Sequence, residues 1–337
     1  MNAARPRVVI PDDISRRYED NPAELQRLRN AADVVIHTTR PASAQELASR
    51  IRDADIVLSF RPAFTRFPAD VLAEAQRLRF VSISGAGVED VDVAYANGRG
   101  IAVGNVVNTK RALAEHCIAL MFAVARRVPE QDRDIRHGEW KALQGIELGG
   151  KTLGIVGLSS IAREFAPLAR ALGMNVISWS RDNDPARAAA VGAVATPLDD
   201  VLASADVLSI HLRLFPELNG FMSRERIAKL KRGAIVINTA RGELIDELAL
   251  VDALTDGRLR GAGLDVFTQA PLPSDHPFRK LPNVVMTPSA AWNTVEASER
   301  TLRRSVDNIL AFIAGDLAGA SVTNAAALSP PHAQEKR

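Results

Sequence analysis

Short apolar runs alternate with longer stretches of helical spacing along most of this chain, and that alternation constrains the fold more than any single residue. An apolar run of three to five residues bounded by polar turns reads as a strand buried on both faces. Val8–Ile10, Val34–His37, Ile56–Phe60, Phe80–Ile83 and Ile101–Val103 form a first series, with helical stretches such as Ala44–Arg52 and Ala69–Gln76 between them. A second series starts at Lys151: Leu153–Val156, Val176–Trp179, Val207–His211, Ala234–Ile237, Ala262–Val266 and Val284–Met286. A parallel neighbour needs a crossover, usually a helix, so this alternation predicts α/β architecture with doubly wound parallel sheets. Between the series lies a long helical pattern, Lys110–Arg127, ended by Pro129, and an amphipathic helix, Val295–Ala314, follows the last strand.

At 337 residues the chain is long enough for two such domains, each with its own core. A net charge of +2 with interspersed signs offers no basic face to nucleic acid or to a membrane surface. Cys117 is the single cysteine, which excludes an internal disulfide and fits a reducing cytoplasm. It lies in the apolar helical run Cys117–Val124 and reads as a small buried thiol rather than a nucleophile. No histidine pair has metal-ligand spacing, so no metal is predicted. The polar N-terminus runs straight into a strand without a signal pattern, and no apolar stretch reaches membrane-spanning length. The location these features predict is cytoplasmic. The segment from Ser329 reads as disordered.

Leu153-Gly-Ile-Val-Gly157 is a strand entering a turn, and Ile161–Leu172 is a helix. A dinucleotide-binding turn places small residues at the bend, at the pyrophosphate approach and at the helix–strand contact; here these are Gly157, Ser159 and Ala162. Serine at the second place narrows the backbone's approach to phosphate, although its hydroxyl can donate to one. The helix N-terminus still offers free N–H groups to an anion. A purely structural turn is the alternative. Where an NAD-binding domain usually carries a carboxylate for the ribose, this chain has Ser180, followed by Arg181, which can pair with a 2′-phosphate. NADP is therefore favoured over NAD. Asp182 and Asp184 leave a ribose acceptor open, and an exposed loop arginine without a ligand is the bland reading.

Asn238-Thr-Ala-Arg-Gly242 follows the strand Ala234–Ile237, so Arg241 emerges past its carboxyl end, and Asp265 does the same after Gly261–Leu264. That edge is where an open parallel sheet holds its ligands, and a guanidinium there can clamp a carboxylate. Together with Lys151–Arg181, these stretches resemble the D-isomer-specific 2-hydroxyacid dehydrogenase family over roughly residues 50–315.

The resemblance implies two Rossmann/flavodoxin-like domains with an active-site cleft between them. A substrate domain would take residues 1–105 and 289–325, a cofactor domain residues 106–288, and a tail residues 326–337. It implies an NAD(P)-dependent oxidoreductase that moves a hydride between nicotinamide and a small 2-oxo or 2-hydroxy acid, or a related compound. Arg241 would bind the substrate carboxylate and Asp265 would support the site; an interdomain ion pair and a loop cap are the structural alternatives. The cofactor would lie against Gly157, Ser159, Ser160, Ile161, Ser180, Arg181, His211, Leu212, Thr239, Ala240, Arg241 and Asp265. The loop Ser84–Asp92 resembles the family's substrate loop, with N–H groups around Ala86 and Gly87 facing a carboxylate, unless it is a plain turn. Trp292 would line the pocket or simply pack at a helix start. Family members pair through their cofactor domains, and Lys110–Arg127 resembles the segment used, so a homodimer is implied.

The chain departs from the family at two places. The glutamate expected five residues past the aspartate is Ala270, and the histidine expected after Thr287-Pro288 is Ser289. The catalytic set is then Arg241, Asp265 and Ser289, with atypical proton donation. Ser289 can hydrogen-bond a carbonyl oxygen or hold a water, but a hydroxyl is no acid near neutral pH. A substrate that arrives protonated, such as an iminium, needs no enzyme acid. His211 reads as a structural hydrogen-bonding residue and His116 as a packing residue, and His276 lies on a loop that the family also carries. The alternative function is a catalytically silent nucleotide-binding protein used for sensing or assembly.

Overall fold

Twelve strands in two sheets carry the described residues, 5–60 and 65–328 of the computed structural model. The chain forms two units, Met1–Asn108 with Val295–Arg337, and Thr109–Thr294. The segment read as disordered from Ser329 lies outside the described residues.

In the first unit, β1 (Arg7–Ile10), β2 (Asp33–Ile36), β3 (Ile56–Phe60), β4 (Phe80–Ser84) and β5 (Ala102–Asn105) pair in parallel in the order β2-β1-β3-β4-β5. The central strands β3 and β4 are buried at every residue because helices cover both faces. On one face Leu47 and Ile51 of the helix Ala44–Ile51, and Val71 and Leu72 of Ala69–Glu74, pack on Val57, Val81 and Ile83. On the other, Leu302, Val306 and Ile309 of the helix Val295–Ile313 pack on Leu58, Phe80 and Ala102. The stripe Leu302, Val306, Ile309 has the spacing of one helix face. Its burial ties the end of the described chain to the first sheet rather than to the second, which precedes it in sequence.

The second unit is built on β6 (Thr152–Val156), β7 (Asn175–Trp179), β8 (Val194–Ala195), β9 (Val207–Ile210), β10 (Ile235–Asn238), β11 (Gly261–Leu264) and β12 (Val284–Met286). Their order is β12-β11-β10-β9-β6-β7-β8, all parallel. The chain leaves β6 in one direction and returns at β9 on its other side, so the topological switch point lies between the carboxyl ends of these two strands. The sheet has one strand more than the sequence pattern predicts. The extra strand, β8, is two residues on the edge beside β7, too short to show any periodicity.

The helix Lys110–Ala125 lies on this sheet, with Leu120, Met121 and Val124 packed among Val207, Ile235 and Ile237. Close approach requires Gly263: a Cβ there would stand 2.8 Å from Leu120 Cβ. The expected single helix to Arg127 is corrected. It ends at Ala125, Arg127 takes a left-handed φ of 53°, and a second helix runs Val128–Arg136. Pro129 does not stop a helix but sits in the first turn of this second one, where the absent N–H would have had no partner. Among the described residues no helix is long and apolar enough to cross a membrane.

Candidate active site

The carboxyl edge of the second sheet collects the chemistry. At the switch point, β6 runs into Gly157, whose φ of 96° lies in the glycine-favoured region. A Cβ on Gly157 would meet the backbone of His211 and Leu212 at 2.9 Å, so the two strand ends touch only because glycine is there. Ser159 caps the helix Ser160–Ala171: its Oγ accepts from Ala162 N at 3.2 Å. The serine that departs from the glycine pattern is thus folded back onto the helix end. Its hydroxyl hydrogen remains available to an acceptor, while its oxygen holds one of the N–H groups that would otherwise face an anion.

A cavity of about 400 Å³ opens at this edge, lined by Gly157, Leu158, Ser159, Ser180, Arg181, His211 and Leu212, among others. Trp179 and Phe215 contribute flat apolar surface, and Arg187 and Arg213 bring two guanidinium groups that the sequence reading did not single out. Arg187 could have been found as a cation six residues past Arg181; Arg213 carries no local signal. The two aspartates left open as ribose acceptors have other partners. Asp184 caps the short helix Pro185–Ala189, accepting from Ala186 N at 2.8 Å. Asp182 accepts from Ser180 Oγ at 2.7 Å and pairs with Arg187. The Ser180 hydrogen bond, with the nearby Arg187 charge, holds the Asp182 carboxyl below its ordinary range. A slot with flat apolar walls and a rim of mixed charge, Arg181, Arg187 and Arg213 with Asp182 and Glu217, fits the adenosine half of a dinucleotide, and the unblocked glycine bend fits its pyrophosphate. A second cavity of similar volume lies at the amino edge of the sheet, by Gly233, Gly257 and Pro282, away from these strand ends.

His211 follows β9 inside this wall. It is buried, its Nε2 lies 2.8 Å from Ser209 Oγ, and its ring sits 5.6 Å from that of Phe165. Desolvation pushes its pKa down to about 4, so it is a neutral imidazole at pH 7. Cys117 is equally enclosed, 3.3 Å from Thr239 Oγ1, and burial pushes its thiol up to about 12. It is a packing residue, not a nucleophile.

Past β10 the loop is braced by buried Asn238. Its Nδ2 donates to Arg241 O at 2.8 Å and its Oδ1 accepts from Ala240 N at 3.0 Å. Arg241 Nη1 donates to Ala240 O at 2.7 Å. Gly242 then meets the segment after Asp265: a Cβ would lie 2.0 Å from Phe267 C and 2.2 Å from Thr268 N. The Arg-Gly pair therefore rests directly on the loop that leads to Ala270. Glu247 ties down that loop, with Oε1 accepting from Thr268 N at 2.8 Å and Oε2 3.5 Å from His276 Nε2.

Asp265 is 3% exposed, and its carboxylate organises the turn after β12. Oδ1 accepts from Thr287 Oγ1 at 2.5 Å and from Ala290 N at 2.8 Å, and Oδ2 accepts from Ala291 N at 3.0 Å. Inside this clasp Ser289 is exposed and held at φ 53°. Its carbonyl accepts from Trp292 Nε1 at 2.9 Å, which fixes the indole beside it. His116 stands behind, with Nε2 2.9 Å from Thr287 Oγ1 and 3.7 Å from Asp265 Oδ1. The Thr287 hydrogen points to Asp265, so the hydroxyl oxygen accepts and His116 Nε2 is the donor. Thr287 was read only as half of a Thr-Pro pair; its bridging role is visible only in three dimensions.

Arg241, Asp265, Ser289, Trp292 and the dinucleotide turn all lie on this one unit. Ala86 and Gly87 lie in the other, past β4, where Ala86 O accepts from Asn105 Nδ2 at 2.6 Å.

Residues 118–291 match the model of the D-isomer specific 2-hydroxyacid dehydrogenase NAD binding domain, a span that includes the cavity, Arg241, Asp265 and Ser289. The chain belongs to the D-isomer-specific 2-hydroxyacid dehydrogenase family. It is 40% identical to the D-3-phosphoglycerate dehydrogenase of Mycobacterium tuberculosis over 274 residues, which cover 80% of this chain and 51% of that protein. The chain thus spans about half the length of these phosphoglycerate dehydrogenases. A glyoxylate reductase of Thermofilum pendens is 35% identical over 329 residues, 95% of each chain. Among solved structures, an acyclic imino acid reductase in complex with NADPH and D-arginine superposes with a TM-score of 0.80 at 26% identity, over 94% of this chain and 99% of that one. Family membership accounts for both sheets and for a nicotinamide cofactor on the second unit.

Proposed function

We propose that the protein is an NADPH-preferring oxidoreductase that transfers a hydride between nicotinamide and C2 of a small 2-oxo or 2-hydroxy acid, or a related compound. The observation that carries this reading is the meeting, on one sheet edge, of the cavity at Gly157, the arginine loop at Arg241 and the Asp265–Ser289 turn. Bound nicotinamide supplies the hydride donor or acceptor. The protein's own residues do the rest. Arg241 grips the substrate carboxylate with its planar fork, and the resemblance assigns the backbone of Ala86 and Gly87 to the same group. Asp265 holds the turn that presents Ser289 and Trp292. Gly157, Ser159, Ser160, Ile161, His211 and Leu212 would hold the pyrophosphate half of the cofactor, and Thr239 and Ala240 would flank it toward the substrate.

The phosphate-bearing cofactor is supported by Ser180 in the ribose position, by Arg181 and Arg213 on the cavity wall, and by the engagement of Asp182 with Ser180 and Arg187 and of Asp184 as a helix cap. The NADPH in the imino acid reductase complex points the same way. The protein is further proposed to work in the cytoplasm as a homodimer paired through its second unit. Exposed Val128, Ile135 and Trp140, which follow the helix Lys110–Ala125, support that face.

Trp179 lines the cavity, so titration of intrinsic fluorescence with NADPH and NADH tests the cofactor, followed by turnover with a panel of 2-oxo acids and their analogues. NADPH is expected to bind about tenfold more tightly than NADH or better. Absence of a fluorescence change with either dinucleotide would overturn the reading.

A further inference from the structure

We propose that the substrate reduced at this site is a 2-imino acid, the protonated C=N adduct of a 2-oxo acid with ammonia or a primary amine, rather than the 2-oxo acid itself. The inference rests on the hydride-transfer reading above and names its substrate.

Reduction of a ketone carbonyl leaves charge on oxygen unless a proton arrives with the hydride, and a positioned acid is worth about 10²–10⁴-fold. The acid–base groups at this edge of the second unit are engaged otherwise. Asp265 is a buried carboxylate with three donors already on it, from Thr287, Ala290 and Ala291. The Thr287 hydroxyl is committed to Asp265, and His116 Nε2 is committed to Thr287. His211 is bonded to Ser209 inside the wall, and burial keeps its ring neutral. His276 faces Glu247 with Nε2, while its Nδ1 accepts from Phe278 N. The thiol of Cys117 is buried against Thr239. The group presented at the turn is Ser289, an exposed hydroxyl that is no acid.

An iminium reverses these requirements. It carries its proton on nitrogen, so addition of hydride to carbon forms the C–H bond while the C=N π pair becomes the nitrogen lone pair. The neutral amine then takes a proton from water. Charge balances: a zwitterionic iminium carboxylate and NADPH give an amino carboxylate and NADP⁺. Ser289 suits such a substrate because a hydroxyl oxygen can accept from iminium N–H, whereas a protonated imidazole there would repel it. The fixed negative charge of Asp265 behind the turn favours a cationic reaction centre over an anionic one. Arg241 keeps the same task with either substrate, since both bear the carboxylate.

The test uses the full chain with NADPH and pyruvate, glyoxylate or phenylpyruvate, each with and without methylamine or ammonium, with products identified by mass spectrometry. NADPH oxidation is expected to rise about tenfold or more when the amine is added, with the amino acid as product. Hydroxy acid formed at the same rate in both arms would overturn this inference and leave the oxidoreductase reading intact. NADPH binding without oxidation in any arm would overturn both. A readout free of turnover is calorimetry with alanine, N-methylalanine and lactate in the presence of NADP⁺. The amino acids are expected to bind at least about tenfold more tightly than lactate; equal binding, or tighter binding of lactate, would overturn the inference.

Discussion

The main-chain N–H of Ser289 donates to the carbonyl of Asp265 at 2.9 Å, and the Asp265 carboxylate takes the two N–H groups that follow, from Ala290 and Ala291. One residue past β11 therefore sets the path of the chain past β12. The Asp265 side chain reaches the reaction through the turn it builds, which makes it a positioning residue.

Asp265→Ala is expected to release that turn and to leave two backbone N–H groups and the Thr287 hydroxyl without acceptors. Stability should fall by about 1–3 kcal/mol. Turnover should fall by about 100-fold, because Ser289 and Trp292 lose their fixed placement. Denaturant unfolding and steady-state kinetics check this, and a loss confined to KM would contradict it.

Ser180→Asp with Arg181→Ala is expected to reverse the cofactor preference. The new carboxylate would accept from a ribose hydroxyl and repel a 2′-phosphate, and a cation near that phosphate would be gone. NADPH affinity should drop about tenfold or more while NADH affinity holds or rises. Fluorescence titration of both dinucleotides measures it; unchanged NADPH affinity would move the phosphate contact to Arg187 or Arg213.

His211 should make the fold sensitive to mild acid. Burial pushes its pKa down to about 4, below the ordinary 6.5, so the unfolded chain takes up this proton first as the pH falls. Its contribution is complete above about pH 6.5 and is lost as the pH drops toward 4, by about 3 kcal/mol over that window. Unfolding free energies at pH 7 and pH 4.5 should differ less for His211→Gln than for the natural chain. An identical difference would show that the ring titrates normally in the folded state.

Gly242→Ala is expected to be strongly destabilising, by about 2–4 kcal/mol, because its Cβ would stand 2.0 Å from the backbone of Phe267, which has no flexible end to yield. The same change should lower activity through displacement of Arg241 and the loop to Ala270. A variant that melts like the natural chain would mean that the two loops separate easily.

Much of the scaffold can be read directly from the residues. The runs Ile56–Phe60 and Ile235–Asn238 are largely apolar and buried at every residue, as strands covered on both faces are. Strand β8 escapes such a reading because two residues cannot display a period, and its placement follows from pairing with β7. The break at Arg127 also escapes, since Pro129 reads equally as the end of one helix or the first turn of the next.

Arg241 and Asp265 stand out in the sequence because each follows a recognisable strand, where an α/β sheet keeps its ligands, and Ser289 only because the family resemblance expects a histidine in its place. Their partners are not found that way. Thr287 joins His116 to Asp265 across 171 and 22 residues of chain, and Asp182 turns from a candidate ribose acceptor into a partner of Ser180 and Arg187. Periodic burial and strand-end position are properties of neighbouring residues, so the chain alone determines the two parallel sheets and the edge that bears the chemistry. Which hydroxyl, imidazole or guanidinium is already engaged depends on atoms far apart in sequence meeting within about 3 Å, and only the tertiary structure decides that.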